Sequence, residues 1–143
     1  MPYWQLFYHM VWATKNREPL IRQEFEADLW RVLVGKATEL GALVHAVGGV
    51  EDHVHFVASV PPKIALSEFV QQLKGSSSRF VSHRSDIADP FGWQAEYGML
   101  SFDGKQLDQM VKYVRNQREH HRRGSTISIL ERSAAESMEI RDK

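Results

Sequence analysis

The segment HVHFVASV, residues 53–60, constrains the fold more than any other part of the sequence. Successive side chains of a β-strand point to opposite faces, so the apolar residues at even positions share one face while His53 and His55 share the other. Pro61 and Pro62 end the strand, because proline cannot donate a backbone hydrogen bond to a sheet. We therefore predict a strand with one face in the core and one face that carries two imidazoles.

Hydrophobic periodicity and turn residues predict the other elements. Strands are expected at residues 4–14, 42–49, 53–60 and 96–102, and helices at residues 23–40, 66–84 and 105–121. This order is typical of an α+β, ferredoxin-like (RRM-like) split βαβ sandwich, with a four-stranded antiparallel sheet and two helices on one face. The added C-terminal helix is the candidate to cover the open face, where His53 and His55 lie.

Composition narrows the possible chemistry. The chain has no cysteine, which excludes disulfides and thiolate metal sites. Its 18 basic and 18 acidic residues balance, so it is not a simple polycation that binds any phosphate polymer. The N-terminal segment has neither the pattern of an export signal nor that of a membrane span, so we expect a cytoplasmic protein with no membrane partner. We expect one domain at residues 1–123 and a loose or docked tail at residues 124–143.

The last predicted helix carries the partners of the two histidines. Tyr113 and Gln117 are four residues apart and so lie one turn apart on the same helix edge. Two imidazoles and an amide oxygen form a weak, open site for a divalent cation. A tyrosine hydroxyl beside such a cation can serve as a nucleophile towards a phosphodiester. Taken together, His53, His55, Tyr113 and Gln117 favour a catalytic site over the alternative of two unrelated surface histidines.

The sequence resembles the single-tyrosine HUH transposases of small bacterial and archaeal insertion sequences, including their REP-associated relatives. HUH denotes two histidines that flank a bulky apolar residue, as in HVH at residues 53–55. Five blocks in the family's order carry the resemblance: HMVWATKNREPL at 9–20, EDHVHFVASVPP at 51–62, FVQQLKGSSSRF at 69–80, WQAEYGMLSF at 93–102 and YVRNQREHHRR at 113–123.

The resemblance implies an enzyme that cuts and rejoins single-stranded DNA at element ends marked by hairpins. Tyr113 would be the nucleophile that takes the 5′ phosphate and frees a 3′ hydroxyl. His53, His55 and Gln117 would hold a Mg²⁺ or Mn²⁺ ion. The resemblance also implies a homodimer, with Tyr113 acting in its own subunit or at the HVH motif of its partner.

Two other functions stay open at this point. One is a non-catalytic, domesticated module of the same fold that binds hairpin DNA or RNA. The other is a metal-dependent phosphodiesterase that uses water as its nucleophile and releases free ends.

Basic and hydroxyl side chains supply candidate DNA contacts, although each also fits a solvated surface. The candidates are Lys15, Arg17, Lys74, Ser76, Ser77, Arg79, Lys112, Arg115 and Arg118. We expect His120 and His121 to be solvated or to contact phosphate rather than to bind metal. Glu51 and Asp52 are expected to be turn residues, with a carboxylate ligand as the alternative.

Overall fold

The computed structural model describes residues 3–84 and 90–134, and these residues form a four-stranded sheet with helices on both faces. The strands are β1 (Phe7–Ala13), β2 (Leu43–Val50), β3 (His53–Ser59) and β4 (Gly98–Phe102), in the order β2-β3-β1-β4. Every neighbouring pair is antiparallel. The helices are α1 (Gln23–Glu39), α2 (Leu66–Ser82), α3 (Leu107–Arg115), α4 (Gln117–Arg123) and α5 (Ser128–Glu131). The ferredoxin-like prediction is confirmed.

The central strand β3 is buried on both faces, because the segments after β4 cover the face that alternation alone leaves open. On one face, Phe56 packs with residues of β1, α1 and α2 that include Trp12, Leu33 and Phe69. All four of these side chains are 0% exposed. The core therefore lies between the sheet and the α1/α2 layer, and it holds β3 rigidly in place.

The helix α3 covers part of the opposite face, as the sequence led us to expect. Val114 of α3 packs there against Ala46 of β2 and Val57 of β3. Gly48 of β2 permits this approach, because a Cβ atom at Gly48 would lie 2.2 Å from the Val114 carbonyl oxygen. Gly48 is also the direct pairing partner of His55. The contact that seats α3 thus lies beside the predicted site.

We expect Gly48→Ala to lower the free energy of unfolding by about 1–3 kcal/mol, since the added methyl group must push α3 away from the sheet. Gly75→Ala is the matched control, because Gly75 lies within α2 with nothing within 4 Å of its Cβ position. That change should stabilise the protein by about 0.5–1 kcal/mol through helix propensity. Urea denaturation measures both, and a Gly48→Ala variant as stable as wild type would contradict the tight seating of α3.

The predicted helix at residues 105–121 is wrong in one respect, because the structure breaks it. A 3₁₀ turn at Gly104–Gln106 precedes α3, and Asn116 (φ −104°, ψ 28°) separates α3 from α4. Asparagine is a weak helix former, and the QREHHRR sequence of α4 has no apolar stripe that would hold the two segments on one axis. Tyr113 and Gln117 therefore lie on two consecutive short helices.

Smaller differences concern element ends. The strand predicted from residue 4 begins at Phe7, and the strand predicted from residue 96 begins at Gly98. The helix predicted to residue 84 ends at Ser82. Residues 85–89, between α2 and β4, lie outside the described residues. Within the described part of the chain, no helix is long and apolar enough to cross a membrane.

The segment after Arg123 returns to the sheet. Gly124 ends α4 in a left-handed conformation (φ 69°), and α5 then contacts β1 and β4 with Leu130 buried. Gly98 of β4 accommodates this segment, because a Cβ atom there would lie 1.9 Å from the Arg132 carbonyl oxygen. Residues 128–133 are thus docked, while residues 135–143 lie outside the described residues. The predicted domain boundary at residue 123 remains a prediction.

Candidate active site

His53 and His55 lie side by side on β3, with ring centroids 5.0 Å apart. His53 is 2% and His55 is 0% exposed, so both rings are buried beneath the segments that cover the sheet. In each ring Nδ1 has a side-chain partner: Asp52 Oδ1 lies 2.7 Å from Nδ1 of His53, and His9 Nε2 lies 2.8 Å from Nδ1 of His55. The two Nε2 atoms consequently face the same point.

Glu131 of α5 occupies that point, and the sequence interpretation missed it. Its Oε1 atom lies 3.1 Å from His53 Nε2 and 3.2 Å from His55 Nε2. One ligand atom from each of the three residues lies within 4.8 Å of the other two, a grouping that can hold a metal ion. Periodicity gave no indication of a four-residue helix in a polar tail. The one available signal was the short apolar run from Ile127 to Leu130, typical of a docked segment.

Gln117 lies at the same site, as the sequence predicted. It is 1% exposed, and its Oε1 atom is 3.4 Å from His53 Nε2, while its amide nitrogen donates to the Tyr113 carbonyl oxygen. The His121 side chain is 35% exposed and also reaches this site, where its Nε2 atom lies 3.1 Å from each of His53 Nε2, Gln117 Oε1 and Glu131 Oε1. The short α4 helix, which begins at Gln117, brings both side chains to the metal-ligating group.

The Tyr113 hydroxyl reaches the site through Glu131. It donates a hydrogen bond to Glu131 Oε2 and accepts one of 2.9 Å from the backbone N–H of Ile127. The Tyr113 ring meets the His55 ring edge-on at 5.9 Å and stacks on His120 at 4.6 Å. The Nδ1 atom of His120 lies 3.0 Å from Ser125 Oγ. One carboxylate therefore joins the tyrosine to both histidines.

The local electrostatics favour positive charge at the centre of this group. Burial lowers the pKa of His53, but hydrogen bonds with Asp52 and Glu131 outweigh burial and raise that pKa to about 9. Burial also acts to raise the pKa of Glu131, yet hydrogen bonds from His53 and His55 hold it well below its usual range. Burial lowers the pKa of His55. An ionised carboxylate beside imidazole nitrogens is a donor set that fits a divalent cation.

Tyr113 is protonated in this arrangement. Burial and the hydrogen bond to Glu131 raise the pKa of Tyr113 to about 12. Asp52 has a role beyond the predicted turn, since its carboxylate bonds the His53 ring and lies 3.8 Å from the Arg17 guanidinium. It contacts a candidate ligand and does not itself point at the metal-ligating group.

Some of the candidate DNA contacts lie near the site. Arg17 and Arg118 line a polar cleft together with His53 and His121. Arg17 also donates to Ser133 Oγ, and Arg118 pairs with Glu26. Three further candidates are exposed: Lys15 in the turn after β1, and Lys112 and Arg115 in α3.

The candidates on α2 lie on the other side of the sheet. Lys74 donates to the carbonyl oxygens of residues 94, 95 and 96, and Ser76 donates to the Leu73 carbonyl oxygen. Ser77 is 0% exposed, donates to the same Leu73 oxygen and accepts from Trp93. These bonds speak against DNA contacts by Lys74 and Ser77, because their polar atoms already have partners inside the protein. Arg79 is exposed on this far side.

The fold and the site together define a single-tyrosine HUH domain: an HVH strand in an antiparallel sheet, faced by a tyrosine from a docked helix. The chain belongs to the family of IS200-like transposases, whose family model matches residues 2–117. The resemblance stated from the sequence blocks is thereby confirmed.

Individual relatives agree with this membership. The chain is 31% identical over 119 residues to the ISDra2 transposase TnpA of Deinococcus radiodurans, covering 80% of this chain and 85% of that protein. It is 25% identical over 131 residues to the transposase of insertion sequence element IS200 from Salmonella typhimurium, covering 88% and 86%.

Two solved structures share the fold. The crystal structure of a putative transposase from Deinococcus radiodurans R1 aligns with a TM-score of 0.62 at 27% identity, over 82% of this chain and 95% of that one. A REP-associated tyrosine transposase bound to a REP hairpin aligns with the same TM-score at 12% identity, over 88% and 76%. At that low identity the second likeness concerns the fold alone.

Proposed function

We propose that this transposase cleaves and rejoins single-stranded DNA at hairpin-marked element ends through a 5′-phosphotyrosine intermediate. One observation carries the proposal: the Tyr113 hydroxyl and the Nε2 atoms of His53 and His55 meet at the same carboxylate, Glu131. The hairpin substrate is the one that the family resemblance implies, and the REP-associated tyrosine transposase that shares the fold is itself bound to a REP hairpin.

The donor set fits Mg²⁺ or Mn²⁺, held by His53 and His55 with an oxygen of Glu131, Gln117 or both. When bound, such an ion polarises the scissile phosphate and neutralises its charge. The partly buried position of Glu131 and the burial of both rings keep the ligands in fixed orientations, as a catalytic site requires.

Proton transfer from Tyr113 is part of this proposal. With its pKa near 12, the phenol must give up its proton as its oxygen bonds to phosphorus. Glu131 Oε2 accepts that hydrogen bond and orients the hydroxyl. Because the pKa of Glu131 lies well below its usual range, the proton does not stay on the carboxylate but passes through solvent to the departing 3′ oxygen. The bond from phosphorus to the 3′ oxygen breaks, which frees a 3′ hydroxyl. In rejoining, a 3′ hydroxyl attacks the phosphotyrosine and the proton returns to Tyr113.

The basic residues near the cleft would position the DNA backbone, because phosphate contacts orient a strand without reading its sequence. Arg17 and Arg118 are the nearest candidates, with Lys15, Lys112 and Arg115 further out. The homodimer stays part of the proposal. Tyr113 lies against His55 of its own chain, and action at the HVH motif of the partner is the alternative that the resemblance implies.

The test is incubation with Mn²⁺ and a hairpin-bearing single strand that continues past the cleavage point. The proposal requires a protein–DNA adduct on a denaturing gel, linked through a 5′ phosphate, together with a free 3′ hydroxyl. Cleavage without an adduct would indicate a phosphodiesterase that uses water. Hairpin binding without cleavage would indicate a non-catalytic module. Light scattering of the same sample separates monomer from dimer.

Replacing the two candidate oxygen ligands separately tells them apart. We expect Glu131→Gln to weaken Mn²⁺ binding by more than about tenfold, because it removes the only negative charge of the proposed donor set. Loss of a residue that merely contacts a metal ligand already weakens metal binding by about tenfold or more. Gln117→Ala should weaken binding less, since it removes a neutral oxygen. Isothermal titration calorimetry measures both, and the opposite order would make Gln117 the principal oxygen ligand.

A further inference from the structure

His9 of β1 is a buried polar side chain that the proposed reaction does not use. It is 1% exposed and lies on the same sheet face as His53 and His55. Its neighbours in register are Val57 on β3 and Leu100 on β4, so it sits diagonally across from His55. The rings of His9 and His55 lie 5.0 Å apart and are tilted by 36°.

A buried hydrogen bond joins these two rings on one face of the sheet. His9 Nε2 lies 2.8 Å from His55 Nδ1. The other nitrogen of His9, Nδ1, is buried and has no hydrogen-bond partner in the described part of the chain. A buried polar atom without a partner costs free energy, which a phenylalanine of similar size would avoid. Packing alone therefore does not explain a histidine at this position.

We propose that His9 is a positioning residue for the metal site: it holds His55 with Nδ1 engaged, so that Nε2 faces the cation. His53 has the equivalent arrangement, with Asp52 on its Nδ1 atom. Histidines that bind metal commonly engage their second nitrogen in this way, which fixes both ring orientation and tautomer. This inference rests on the proposed metal site.

The two candidate ligands thus differ in the hydrogen-bond partner of their Nδ1 atoms. The partner of His53 is the ionised carboxylate of Asp52, whereas the partner of His55 is the imidazole of His9. With a metal on Nε2, the proton of His55 lies on Nδ1 and is donated to Nε2 of His9, which in turn carries its own proton on Nδ1. His9 Nδ1, which would carry that proton, is the atom that has no partner in the described part of the chain.

The test compares Mn²⁺ binding by calorimetry among wild type, His9→Phe and His9→Gln. His9→Phe should bind Mn²⁺ about tenfold more weakly or worse, in line with the loss of other outer contacts. His9→Gln places an amide within reach of His55 Nδ1 and should recover most of the affinity. The matched control is His45→Phe, because His45 also lies in the sheet with one side-chain partner, Ser59, but outside the site.

Three results would overturn the role of His9. They are wild-type affinity in His9→Phe, equal weakening in His9→Phe and His45→Phe, and no recovery in His9→Gln. A wild-type protein that binds no Mn²⁺ would instead overturn the metal site itself, and the role of His9 with it.

Nitrogen-15 NMR of the wild-type protein tests the same inference without a variant. With Mg²⁺ added, scalar coupling across the hydrogen bond should connect His55 Nδ1 with His9 Nε2, and the proton should reside on His55 Nδ1. An unprotonated His55 Nδ1 in the Mg²⁺-loaded protein, or no coupling between these atoms, would refute the proposed arrangement.

Discussion

Tyr113→Phe is expected to abolish the covalent DNA adduct and to lower cleavage by about 10⁴-fold or more, the scale of nucleophile loss in covalent catalysis. The change removes one oxygen atom and keeps the ring that packs against His55 and His120. Folding should therefore be retained, although the hydrogen bonds to Glu131 and Ile127 are lost. The measurement is a denaturing gel of labelled single-stranded hairpin DNA incubated with Mn²⁺.

Tyr8→Phe is the matched control for this experiment. Tyr8 lies on β1 but packs against the core on the α1/α2 side of the sheet, away from the site. The Tyr8→Phe variant should therefore cleave the hairpin DNA like the wild type. An adduct that persists in Tyr113→Phe would show that another residue carries the phosphate, whereas free ends without an adduct in the wild type would show that water is the nucleophile.

His53→Ala should lower cleavage by about 10³-fold, because a bound cation contributes several kcal/mol to the stabilisation of transition-state charge. Chelation of the divalent ion by EDTA should have a similar effect on the wild type. Hairpin binding, measured by fluorescence anisotropy, should change little, since phosphate contacts come mainly from the basic side chains. Cleavage and binding are thereby separated.

The exposed His83 at the end of α2 provides the control, and His83→Ala should leave both quantities unchanged. Cleavage by the wild type in the presence of excess EDTA would contradict a metal-dependent reaction. A parallel loss of hairpin binding in His53→Ala would instead indicate that the histidine contacts DNA.

The fold could be predicted because its signals are local. Alternation in residues 53–60 identifies the central strand and both of its faces, and the sequence order of elements then leaves few topologies. The position of Gln117 close to Tyr113 follows from a spacing of four residues, which survives the break at Asn116, and its role as a ligand stays a prediction. That break was not predictable from periodicity, since the apolar stripe of α3 simply stops before α4.

Glu131 and His121 could not be found in the same way. Glu131 is the last residue of the four-residue helix α5, and its position depends on the docking of Leu130 and on the space left by Gly98. The polar run of α2 also has tertiary contacts that its sequence does not indicate. Its lysine and serines look like phosphate contacts, but Lys74 and Ser77 bond groups in residues 93–96, a tertiary contact that no local pattern reveals.

At Gly98, the strand propensity of β4 and the position of Glu131 make opposite demands on the residue. Glycine weakens an edge strand, and strand propensity alone would favour valine or threonine at this position. Any side chain there, however, meets the backbone of Arg132 and displaces the residue before it, Glu131. A stabilised β4 would thus be obtained at the expense of the carboxylate that joins the tyrosine to the histidines, and thermostable variants of this enzyme are best sought with position 98 left unchanged.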